Sequence, residues 1–167
     1  MKTVRNVLIL LIAGLWSFST SAEEESLATF KAMKPEVAVK LAQATMKACR
    51  DAGFQVAVAV VDRAGVTQVI IRDQLAGAHT PDTARRKAWT AASFRTDTMT
   101  MMEETQSGKP QSGVRFVSEA MMIGGGIPVT TAGTMVGAVG VSGAPGGDED
   151  HKCAQAGIAA IEEHLMF

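Results

Sequence analysis

The chain has 167 residues, with 16 Lys and Arg against 17 Asp and Glu and a formal net charge of −1. A near-neutral chain without a basic stripe lacks the electrostatic footprint of a nucleic-acid binder. Its length suits one domain with its own core rather than several.

In chain order, Lys2 and Arg5 give a positive start, Val7 to Trp16 is apolar apart from Gly14, and Thr20, Ser21 and Ala22 are small or polar. That order is the pattern of a secretory signal peptide over 1–22, cleaved after Ala22. An uncleaved anchor or a buried N-terminal helix competes with it, and the polar run Glu23-Glu24-Glu25-Ser26 speaks against both. The expected mature chain, about 145 residues, holds 14 basic and 17 acidic residues. None of its apolar runs is long enough to span a bilayer, so the expected location is periplasmic or secreted.

Residues 23–33 read as a polar lead-in and 34–167 as the domain. Pro35 sits where a helix tolerates it, in the first turn. Val37, Leu41, Thr45 and Ala48 then recur on one face of a helix to about Ala52, with Gly53 as its stop. Val56 to Val61 and Val66 to Arg72 read as two strands joined by the turn Asp62-Arg63-Ala64-Gly65. Both faces of the first are apolar, Val56, Val58 and Val60 on one and Ala57, Ala59 and Val61 on the other. This predicts a central strand covered on both sides, with alanine marking the side of close approach.

Thr80-Pro81-Asp82 is a helix start, with Thr80 as hydroxyl N-cap, proline next and an acid at the positive dipole end. Ala84, Ala88, Ala91 and Ala92 line this helix to about Phe94, and such small side chains allow a neighbour to come close. Asp97 opens a shorter helix to Glu104, followed by the polar loop Gln106 to Gly113. Met121 to Ile123, Ile127 to Thr131 and Met135 to Val141 read as three short strands, punctuated by Gly124-Gly125-Gly126 and by Gly133. After the turn Gly143 to Gly147, Asp148-Glu149-Asp150 opens a last helix with Cys153, Gly157, Ala160, Ile161 and Leu165 on one face.

The order predicts one α+β domain around a five-stranded, mainly antiparallel sheet, with the first and last helices paired on one face. That pairing brings Cys49 and Cys153, the only cysteines, within reach of each other. Export would let a disulfide persist, and their spacing fits no zinc pattern. A bridge closing so long a loop would contribute roughly 4–5 kcal/mol by chain entropy. Two buried free thiols are the equal alternative.

The segments VAVAVVDRAG, AGAHTPDTARRKAWTAASF, GGGIPV and VGAVGVSGAPGGDED, followed by CAQAGIAAI, together resemble the GlcG/HbpS family, the haem-binding protein-like group. The likeness covers nearly the whole mature chain, in four separated blocks of matching type and order. It implies a profilin-like α-β-α domain, with the terminal helices on one side of the sheet and the middle helices on the other. It also implies homo-oligomers, often larger than dimers. Known roles in the family are extracellular haem binding in HbpS and cofactor binding in the C-terminal domain of PduO proteins, whereas GlcG has no settled activity.

His79 stands in a Gly-Ala-His-Thr-Pro loop, where an imidazole can reach a ligand without breaking regular structure, as a haem axial ligand does. The plainer role is a loop histidine bonded to a carbonyl or a neighbouring subunit. Arg85, Arg86 and Lys87 are about a hundred degrees apart on their helix and cannot all face one ligand. One or two could bind haem propionates or another carboxylate; otherwise they form a solvated face. Gly124, Gly125 and Gly126 could present backbone N–H groups as an anion nest or serve as a permissive turn. Met99, Met101, Met102, Met121 and Met122 suit an apolar wall for a macrocycle better than an iron ligand. His151 and His164 are spaced too far apart for a two-histidine metal pair and read as surface residues.

Asp62, Asp73, Ser93 and Ser142 assemble into no readable catalytic constellation, because no serine sits in G-x-S-x-G and nucleotide-binding glycine motifs are absent. The leading expectation is an exported protein binding haem or a related tetrapyrrole through His79. The alternatives are an accessory factor or enzyme for a small carboxylate or aldehyde, and a structural oligomer-forming module.

Overall fold

The computed structural model describes residues 26–165, so the expected leader and most of the charged run after it lie outside the described residues. Helix α1 spans Pro35–Asp51 and buries Ala38, Leu41, Ala42, Thr45, Met46 and Cys49, with Val37 and Ala48 at the edge of that stripe. Gly53 follows with φ 85°, the left-handed value that glycine adopts without steric cost. Strands β1 (Ala57–Asp62) and β2 (Thr67–Arg72) form the expected hairpin. Asp62 stabilises its turn by accepting the N–H groups of Ala64 (2.8 Å) and Val66 (2.9 Å). Asp73, just beyond β2, is buried and accepts from the Arg50 Nε (2.8 Å) and the Val56 N–H (3.1 Å), tying α1 to the start of β1.

Helix α2 (Thr80–Phe94) and helix α3 (Thr98–Glu104) follow, then strands β3 (Gly126–Thr131) and β4 (Thr134–Ser142) and helix α4 (Gly147–Ala160). Asp97 caps α3 through its bond from the Thr100 N–H. At α2, however, the capping position falls to His79, because the Thr80 hydroxyl turns back and donates to the Gly77 carbonyl at 2.7 Å. The β3–β4 turn places Ala132 (φ 45°) and Gly133 (φ 75°) at successive positive φ, the signature of a type I′ hairpin.

Among the described residues the sheet has four strands in the order β2-β1-β4-β3, all antiparallel, and not the five that the sequence suggested. Met121 to Ile123 is the segment that fails to pair. Its Met121 N–H goes to the Thr90 hydroxyl of α2 at 2.8 Å, so it runs over α2 instead of along a sheet edge. Met122 drops into a small separate core with Met101 and Ala120, packed by Trp89, Phe94 and Val114.

β1 lies inside the sheet, as its two apolar faces require. Val56, Val58 and Val60 join the main core under α1 and α4, whereas Ala57 and Ala59 meet Ala84 of α2. Gly140 of β4 is on that α2 side, where a Cβ would overlap the Ala84 carbonyl oxygen and approach the Ala88 nitrogen to 2.6 Å. Small side chains on both partners thus set α2 unusually close to the strands. Across the other face a disulfide joins Cys49 of α1 to Cys153 of α4, with Cα atoms 5.2 Å apart. Beyond α4 a short 3-10 turn, Glu162–His164, carries Ile161 and Leu165 into the core, while Ala160 stays exposed.

Candidate functional site

Where β4 ends, the chain must cross from the sheet to α4, and Gly143 to Gly147 makes that crossing. A cleft of about 500 Å³ opens there. Its walls are the amino end of α2, with His79, Thr80 and Thr83, the crossing loop, and the irregular segment with Met121 and Ile123. Its size is in the range of small-molecule and cofactor sites. A second groove of about 500 Å³, between β3 and α4, is lined by residues such as Ile127, Gln155 and Glu162 and carries no basic or imidazole side chain.

His79 is exposed at the rim, and its ring makes no hydrogen bond within the described residues. The ring lies over Gly77, where a Cβ would come within 2.7 Å of Cε1 and 2.9 Å of Nδ1. Glycine at 77 therefore gives the imidazole its place.

At the floor, Lys87 reaches from α2 past the end of β4. Its ammonium donates to the Val141 carbonyl at 2.9 Å and to Asp150 Oδ2 of α4 at 2.7 Å. Asp150 Oδ1 in turn accepts the Ala144 N–H at 3.0 Å, which fixes the crossing loop. Lys87 is 1 % exposed and Asp150 3 %, so both charges are almost fully out of water. Burial pushes the Lys87 ammonium below its ordinary range and the Asp150 carboxyl above its own, and the mutual attraction pulls each part of the way back.

The other basic residues of α2 are committed elsewhere. Arg85 binds Asp82 (2.9 Å) and Glu119 (2.8 Å), and Arg86 donates to the carbonyls of Ser118 (2.9 Å), Glu119 (3.3 Å) and Ala120 (3.1 Å). The pair holds the loop before Met121 against α2, so neither guanidinium belongs to the cleft. Gly124 to Gly126 is tightly packed, and its last N–H is not open to an anion. The Gly126 N–H is taken by the Thr98 hydroxyl at 2.8 Å, and the Gly125 carbonyl accepts the Val141 N–H at 3.0 Å. A Cβ on Gly125 would fall 2.7 Å from the Asp150 Cβ and 2.8 Å from the Val141 oxygen. The run is a packing seam that lets α2, β4 and α4 converge on the Lys87–Asp150 pair.

Of the methionines, Met121 lines the cleft, whereas Met101 and Met122 fill the small core behind it. His151 is half-buried rather than a surface residue, its Nδ1 enclosed and unbonded among the described residues, and His164 sits beside Lys40 at 3.4 Å. Among the described residues no group of three or more His, Cys, Asp or Glu is placed to hold a metal ion, and no helix is long and apolar enough to cross a membrane. Sequence reasoning set aside Ser142 because no nucleophile motif surrounds it. It lies in the cleft wall at 5 % exposure. The cue was its place as the last residue before a glycine-rich crossing.

These features define a layered α+β domain with an imidazole-bearing cleft at the end of its sheet. The family model described as haem degrading protein HbpS-like matches residues 33–159, and the chain belongs to this HbpS-like family. The solved structure of HbpS is similar at 35 % identity and TM-score 0.77, covering 84 % of this chain and 98 % of that one. The structure of a PduOC:haem complex is similar at 27 % identity and TM-score 0.72, covering 78 % and 95 %. A 15.0 kDa protein from the dhaT-dhaS intergenic region of Citrobacter freundii is 33 % identical over 108 residues, covering 64 % of this chain and 76 % of its own.

Proposed function

We propose that this chain is an exported haem-binding protein whose cleft beside His79 holds the macrocycle. The observation that carries the reading is an exposed imidazole, without a hydrogen-bond partner among the described residues, at the rim of a cofactor-sized cleft. Membership of the HbpS-like family and the relative PduOC, solved with haem, support the choice of ligand.

The residues fit such a group. A neutral nitrogen donor and an apolar wall are what an iron porphyrin requires of a protein, and His79 with Met121, Ile123 and Pro145 offers both. Haem, when bound, supplies an iron centre that exchanges ligands and electrons. Within the chain, His79 would donate through a ring nitrogen, Met121 and Ile123 would keep water from the ring face, and Lys87, its charge balanced by Asp150, would offer an N–H at the floor.

Export is supported by the leader pattern over 1–22 and by the Cys49–Cys153 bridge, which suits an oxidising compartment. The domain is taken as 34–167, of the profilin-like kind. Its outer strands β2 and β3, with Ile70 exposed on β2, offer edges for assembly into homo-oligomers.

Titrating the signal-cleaved protein with haemin while following the Soret band tests the reading. A saturable one-to-one shift is expected, with affinity reduced about tenfold or more in His79→Ala. A shift retained in the variant would keep the ligand and discard His79. An unchanged haemin spectrum without saturable binding would discard haem.

A further inference from the structure

Hydrogen-bond donors converge at the floor of the cleft without being used up by the fold. Ser142 is 5 % exposed, and its hydroxyl makes no hydrogen bond to any described residue. Ser142 lines the cleft, so its hydroxyl is free to bond a polar group that arrives there. Lys87 carries three N–H donors. Two are given to Val141 and Asp150, and the third has no partner among the described residues. Helix α4 begins at Gly147 behind Gly146, which has no side chain to cap it, so the N–H groups of its first turn lack a side-chain partner. Ser142, Lys87, Gly146 and Gly147 line the same cleft.

We propose that this floor is a carboxylate-binding subsite formed by the Ser142 hydroxyl, the third Lys87 N–H and the amino end of α4. Charge-assisted bonds from an ammonium, a hydroxyl and a helix N-terminus are the chemistry that holds a carboxylate. The acids nearby do not occupy it. Both Asp150 oxygens are taken, by Lys87 and by the Ala144 N–H, and Asp148 is exposed, where water and salt weaken its repulsion. The carboxylate can come from a haem propionate or from a free small acid. The first source rests on the haem reading above, and the second does not.

Two titrations separate these cases, each in wild type and in Ser142→Ala, which removes one hydroxyl and leaves the backbone pairing of β4 in place. In the first, sodium propionate is added to the ¹⁵N-labelled protein. Saturable shifts are expected at the amides of Ser142, Gly146 and Gly147, weakened about tenfold in the variant. In the second, haemin is compared with haemin dimethyl ester, whose propionates are blocked. Wild type should prefer haemin by about fivefold or more, and the preference should fall to about one in Ser142→Ala. Propionate shifts without a haemin preference assign the subsite to a free acid. Propionate shifts with no haemin binding at all discard the haem reading and keep the subsite. The proposal is overturned if propionate leaves those amides unmoved and haemin and its ester bind alike, even where both bind well.

Discussion

Asp150→Ala is expected to destabilise the protein by about 3–5 kcal/mol, among the largest effects of any single substitution here. It leaves the Lys87 ammonium in a nearly dry site with the Val141 carbonyl as its one remaining partner among the described residues, and takes the acceptor from the Ala144 N–H of the crossing loop. The pair itself is a poor source of stability, since two buried charges recover little more than their desolvation cost. Lys87→Met with Asp150→Leu should therefore restore most or all of the loss, and urea midpoints of the single and double variants measure both. The pH dependence has a sign as well. With the Asp150 carboxyl raised in the native state, chiefly by burial, the folded form binds more protons than the unfolded form between the ordinary and the raised value, and stability falls as pH climbs through that range. With Lys87 lowered, again chiefly by burial, the folded form binds fewer protons between the lowered and the ordinary value, and stability rises with pH there. Both slopes should vanish in the double apolar variant.

Breaking the Cys49–Cys153 bridge is the second large effect. The cysteines are 104 residues apart, and by the chain-entropy account such a loop contributes about 4–5 kcal/mol. Reduction, or Cys49→Ala with Cys153→Ala, should lower Tm by on the order of 15 °C. Both cysteines are buried in the main core, where α1 meets α4, so the pair of alanines also thins that helix contact. Thermal unfolding followed by circular dichroism, with and without reductant, decides the matter. A change of only a few degrees would mean that α1 and α4 stay associated without the bridge and that the unfolded chain is already compact.

Much of the fold was legible from local pattern. The Val-Ala alternation of β1 announced both a central strand and which side would meet a helix closely, and Ala84 and Ala88 of α2 answered it. The pairing of α1 with α4 made the disulfide geometrically open before it was seen. Met121 to Ile123 misled because three apolar residues between turns look the same whether they enter a sheet or cross a helix. What separates the cases is the Thr90 hydroxyl, 31 residues away in sequence, which takes the Met121 N–H.

The site was less legible because its parts are long-range. Nothing local to Arg85, Arg86 and Lys87 shows that the first two hold a loop while the third is buried on Asp150, 63 residues on. The acid run Asp148-Glu149-Asp150 read as helix-dipole complementation, and it took the packed seam at Gly125 to turn one of its members inward. The exposure of His79 was legible because loops before helices expose their side chains, and its ring makes no hydrogen bond among the described residues.

Paramagnetic mapping tests the central claim most directly. Ferric haemin added to the ¹⁵N-labelled protein, prepared from Glu23 onward, should broaden the amides of His79, Thr83, Ser142 and Gly146, relative to gallium protoporphyrin as diamagnetic reference, and leave Ile127 and Ile158 sharp. Broadening centred on Ile127 and Ile158, with the cleft residues unaffected, would place the ligand in the groove between β3 and α4 and contradict the account.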